Sequence, residues 1–130
     1  MASTPAFAST PKIGAAAVST ANTNRDGTGT IATVLTAASG GTKITSVAVV
    51  ATGDPADSIV NLFLHDGSTY YFYDSVDLGN PAAASTTVDA YRSSKTYADL
   101  VLPSGWSLRA SITVALTSGV CNVFAHAGDL

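Results

Sequence analysis

The chain has 130 residues, of which 46% are apolar and only 12% charged, and its formal net charge is −3. Ala, Thr, Ser and Gly make up half of it, and all nine acids are Asp. This excludes a helical bundle, which needs Glu, Gln, Lys and Arg, and a basic nucleic-acid binder. It also excludes a disulfide-stapled domain, because Cys121 stands alone. A chain of this length is one domain and can bury about two-thirds of its unfolded surface without a staple.

The first residues carry no early positive charge and no long apolar stretch, unlike a secretory signal. The longest apolar run, Val47 to Ala51, is far below the ~20 residues of a spanning helix. The expectation is synthesis in a cytoplasm and no membrane partner. Ala2-Ser3-Thr4-Pro5-Ala6-Phe7 is echoed by Ala8-Ser9-Thr10-Pro11-Lys12-Ile13. Both prolines favour extended backbone before them. Such a terminus either frays or reaches a neighbouring subunit. The expected division is an extended arm over residues 1–13, anchored by Phe7 and Ile13, and a folded domain over 14–130.

From there the chain reads as strands and turns. Lys12 to Ala21 is an Ala-rich first strand, followed by the turn cluster Asn22 to Gly29. Thr30 to Ala37 alternates, and Ser39-Gly40-Gly41 ends it. Lys43 to Thr52 is a long strand, broken at Gly53-Asp54-Pro55-Ala56-Asp57. Ser58 to His65 places Val60, Leu62 and Leu64 on a core side and Ile59, Asn61, Phe63 and His65 on the other. Asp66-Gly67 predicts a hairpin, because Gly accepts positive φ without a Cβ clash.

The partner strand, Thr69 to Val76, holds four consecutive aromatics. Strand alternation divides them, with Tyr71 and Tyr73 on one face and Tyr70 and Phe72 on the other. Residues 82–97 are small and polar, with Val88 and Tyr91 as expected contacts. Ala98 to Leu102, Trp106 to Leu116 and Val120 to Ala127 complete the set. About eight short strands with regular turns predict an all-β, single-domain antiparallel β-sandwich, jelly-roll or immunoglobulin-like.

The residues offer little for catalysis. No Gly-x-Ser-x-Gly elbow surrounds any Ser. His65 reads as a half-exposed strand residue bonded to a turn, and His126 as a strand-end residue suited to a subunit interface. Neither His65 with Asp66 nor Asp54 with Asp57 has metal-ligand spacing. Four of the nine Asp residues, Asp26, Asp54, Asp66 and Asp129, sit beside Gly or Pro, where turns want them. The reading is therefore no catalytic residues, no cofactor and no metal. Tyr71, Tyr73 and Trp106 are the candidate contact residues, either against another subunit or as platforms for a sugar ring.

Four stretches together resemble small tailed-bacteriophage virion proteins. They are Thr20 to Thr30, Phe63 to Gly67, Leu102 to Ser111 and the ending Phe124-Ala125-His126-Ala127-Gly128-Asp129-Leu130. The resemblance runs from about residue 12 to the end. It implies a non-enzymatic virion structural protein, above all a head decoration (cement) protein on the capsid exterior. The implied partners are the major capsid protein and further copies of the chain, as a homodimer or homotrimer. A minor tail or fibre-associated protein is the close alternative, and a carbohydrate-binding module the next.

Overall fold

The computed structural model describes residues 10–130. Eight strands form in chain order: β1 (Thr10–Val18), β2 (Ala32–Thr36), β3 (Thr42–Ala51), β4 (Ser58–His65), β5 (Tyr70–Gly79), β6 (Arg92–Leu102), β7 (Ser107–Ile112) and β8 (Cys121–Asp129). They build two four-stranded antiparallel sheets, ordered β1-β8-β3-β6 and β2-β7-β4-β5. Eight strands divided four and four in this order make a jelly roll. The immunoglobulin-like alternative needs a different strand order. The long-range pairing of β1 and β3 with β8 decides between them.

The core lies between the sheets. Ile44, Val47, Val49 and Val123 enter it from the first sheet, and Val60, Leu62, Leu108 and Ile112 from the second. These are the inward members of alternating runs, as a half-buried strand requires.

β1 begins at Thr10, so Thr10–Ile13, expected in the arm, pair with Asp129–His126 of β8. Pro11 is tolerated because β1 is an edge strand and one side of its ladder needs no N–H. β6 begins at Arg92, well before the expected Ala98, with Ser93, Ser94 and Lys95 paired to β3. It is also an edge strand, and most of its residues are exposed. β7 ends at Ile112, short of the expected Leu116. There Thr113 turns aside and pins Ile59: its N–H donates to the Ile59 carbonyl at 2.9 Å, and its Oγ1 accepts the Ile59 N–H at 3.0 Å.

The expected core side of β4 is half of the answer. Val60 and Leu62 are buried, but Leu64 is only partly so, while Asn61, Phe63 and His65 on the opposite face are buried as well. The cause is the segment 19–31, which lies as a strap over the outer face of the second sheet. Ala21 forms a parallel bridge to Ile112, and the Asn22 N–H donates to the Ile112 carbonyl at 2.8 Å. The Asn22 side chain ties the strap internally, donating to the carbonyls of Thr28 and Thr30. Gly27 passes so close to Tyr70 that a Cβ would stand 2.6 Å from the Tyr70 Cβ. The Arg25 guanidinium sits 4.9 Å from the centre of the Phe72 ring.

Candidate interaction surfaces

The Asp66-Gly67 turn sets the first surface. The Asp66 carboxylate accepts the N–H groups of Ser68 at 2.9 Å and Thr69 at 2.8 Å, and Gly67 takes φ 106°. His65 Nδ1 accepts the Gly67 N–H at 3.2 Å, and its ring lies 4.3 Å from that of Tyr70. The expected turn contact of His65 is therefore present, with the side chain buried rather than half-exposed. The fixed turn aims β5 so that alternate aromatics reach different neighbours.

Tyr70 and Phe72 flank the buried Phe63 edge-on, with ring centres 6.1 and 5.8 Å away. Tyr70 also accepts a hydrogen bond from Arg109 at 2.9 Å. Tyr71 and Tyr73 face the other way and remain 48% and 41% exposed. Tyr71 stacks on Trp106, with centres 6.0 Å apart and planes 14° apart, and donates its hydroxyl to Asp66. Tyr73 packs on Tyr97 of β6 at 5.6 Å. Tyr97 in turn donates to Asp74 at 2.9 Å, and Lys95 pairs with the same carboxylate at 3.0 Å.

The structure thus brings Trp106, Tyr71 and Tyr73 to one side, a seam running from the hairpin end along the β5/β6 edges. Tyr97, absent from the sequence-based candidates, completes it. Its neighbours Lys95, Thr96 and Asp99 carry no apolar alternation, so no local pattern marks it. Ile13 stands apart on β1, 64% exposed, on the outer face of the first sheet. His126 lies on that face too, its Nδ1 3.2 Å from the Ser46 hydroxyl. Phe7 lies outside the described residues.

Carboxylates anchor both surfaces. The Thr69 N–H, then the Ser68 N–H, hold Asp66 down at about 2. The Thr42 hydroxyl and then Lys12 hold Asp129 below the usual range. Burial pushes Asp74 up, but the Ser75 N–H, Lys95 and Tyr97 outweigh it and leave it lowered. Acids with native values below their unfolded values bind fewer protons folded than unfolded. Their contribution is complete above about pH 4 and is lost as the pH falls through the native values. Urea midpoints should therefore drop steadily from about pH 4 to 2. In Asp66→Asn the drop should be shallower, and an equal slope in the two proteins would contradict this account.

The order of strands and the absence of a helix among the described residues define a single jelly-roll β-sandwich. Its exposed features include the aromatic seam and, on the outer face of the first sheet, Ile13. The chain is similar in fold to a chain of the acidic stable capsid structure of Helicobacter pylori bacteriophage KHP30. That match has a TM-score of 0.59 at 16% identity and covers 95% of this chain and 90% of that one. It is also similar to a chain of the cyanophage Pam1 capsid asymmetric unit, with a TM-score of 0.50 at 14% identity, covering 100% of this chain and 94% of that one. Because the paired shares are nearly equal, each matched chain is about as long as this one. No family model and no curated protein matches the chain.

Proposed function

We propose that the chain is a non-enzymatic phage virion protein, a head decoration subunit that binds the outer capsid surface and bridges neighbouring capsid subunits. The observation that carries this reading is the end-to-end fold likeness to similarly short chains of two phage capsid structures. The surface agrees with it. With 12% of residues charged and exposed Ile13, Tyr71, Phe72 and Tyr73, the domain offers apolar contact area to a partner.

A subunit repeated over a shell holds on with modest contacts per copy, because neighbouring attachment points raise its effective concentration. Burial of about 1,200–2,000 Å² per specific contact is enough. The seam of Trp106, Tyr71, Tyr73 and Tyr97 is the shell-facing candidate, since aromatic residues are enriched in such contacts. A sugar platform suits this seam less well: Tyr71 and Trp106 each give one ring face to the other.

The test is stoichiometry in purified particles of the source virus, read by mass spectrometry against the major capsid protein. Hundreds of copies are the expected result. A few to a few tens would move the chain to the tail, and none would remove it from the virion. Tyr73→Ala should weaken attachment to particles stripped of the chain by about tenfold or more, the scale of an interface aromatic. Its thermal midpoint should change little by comparison. Unchanged attachment would take the seam out of the interface.

A further inference from the structure

The arm reading requires a surface that receives Phe7, and one groove suits it. An open groove of about 340 Å³ lies where β1, β8 and β3 meet, lined by Pro11, Lys12, Ile13, Thr45, His126 and Ala127. The irregularity in β3 between Ile44 and Ser46 forms one wall, and Thr45 there donates its hydroxyl to the His126 carbonyl at 3.0 Å. Lys12 contributes its stem, because its ammonium is engaged by the Thr36 carbonyl at 2.8 Å and Asp129 at 3.3 Å. The groove is apolar, with its one cation already paired. Its volume is at the small end of ligand pockets, so it suits one or two side chains rather than a folded partner.

We propose that this groove receives Pro5–Phe7 of a second copy of this chain, with the Phe7 ring seated against Ile13. The proposal rests on the arm reading above. Three observations lead to it. Nine residues precede Thr10, and none carries a charged side chain, which matches the groove. The segment Thr4-Pro5-Ala6-Phe7 repeats Thr10-Pro11-Lys12-Ile13, which itself forms one wall. It carries the same proline restriction toward extended backbone and ends in a larger apolar side chain. Finally, only Ala8 and Ser9 separate Phe7 from Thr10, which Pro11 biases to extended backbone. A two-residue reversal over Ala8-Ser9 would set Phe7 opposite Thr10, three residues short of Ile13. A second copy is therefore the source that would bring a Phe7 ring to Ile13, and the eight residues 2–9 would span about 26 Å if extended.

Heterotypic cross-linking tests this. One preparation carries Phe7→Cys and the other Thr45→Cys. Each then has a single accessible thiol, because Cys121 is buried. Mixing and oxidation should give the mixed dimer at least tenfold above dimers from either variant alone. It should also exceed, by a similar factor, the yield with Val114→Cys, an exposed control on the β7–β8 loop. Phe7→Ala should weaken self-association by about tenfold to a hundredfold, the scale of one buried Phe.

No preference for Thr45→Cys overturns the proposal. So does a doubly substituted Phe7→Cys/Thr45→Cys chain that closes on itself while the mixture gives no dimer. Shell attachment of a chain lacking residues 2–9 separates this failure from that of the arm. Attachment lost without cross-linking means the arm binds elsewhere and the groove proposal falls. Attachment kept without cross-linking removes both.

Discussion

Phe63→Ala should destabilise the domain by about 3–5 kcal/mol, the usual cost of removing a buried aromatic. The side chain has no exposed surface and stands between the Tyr70 and Phe72 rings. Its neighbours cannot close the space easily. Tyr70 is held by Arg109 through its hydroxyl, and Phe72 lies under the Arg25 guanidinium. The edge-to-face contacts, worth about 0.5–1.5 kcal/mol per pair beyond area burial, would go as well. For a domain of this size the thermal midpoint should fall by on the order of 10–20 °C. A loss under 1 kcal/mol would mean that the strap collapses into the space.

Gly119→Ala is the second large effect, about 2–5 kcal/mol, and Gly79→Ala is its control. Both glycines have positive φ, 77° and 61°. The left-handed region costs an alanine roughly 1–2 kcal/mol at either site. At Gly79 nothing lies within 4 Å of an added Cβ, so that penalty stands alone. At Gly119 the Cβ would meet the Gly53 backbone nitrogen at 2.9 Å. The two backbones are held there: Asp54 N–H donates to the Ser118 carbonyl at 3.1 Å, and Thr117 N–H to the Asp54 carbonyl at 3.0 Å. Overpacking against a fixed backbone adds about 1–3 kcal/mol. Chemical denaturation of the two variants separates the terms, and equal losses would show that the loop pair yields freely.

The strands that the sequence makes plain are those with one simple duty. β4 occupies Ser58–His65 as its alternation and the Asp66-Gly67 turn require. The division of the aromatic run also follows from alternation, with Tyr71 and Tyr73 meeting one set of neighbours and Tyr70 and Phe72 another. β6 is obscure because it is an edge strand. Ser93, Ser94 and Lys95 supply backbone pairing without an apolar face, so the sequence pattern starts only at Ala98. Strand order is obscure for another reason: it depends on partners such as Ile13 and His126, more than a hundred residues apart. Of the contact residues, Trp106, Tyr71 and Tyr73 are legible as aromatics flanking turns. Tyr97 and the Ile13–His126 groove become visible only once β6 and β8 have their neighbours.

The strap also bears on how the folded chain persists in solution. Residues 19–31 contribute no long strand, and their hold on the sheet is a few hydrogen bonds at Ala21–Asn22 and ring contacts at Arg25 and Gly27. Such a segment can open without global unfolding. Opening would uncover Phe63 and Tyr70 beside the already exposed Phe72 on β4 and β5, an apolar patch that invites sticking between molecules. The rate of aggregation and protease nicking is then set by this local opening, not by the free energy of the whole jelly roll. A partner that covered the strap would protect the subunit without adding any contact to its core.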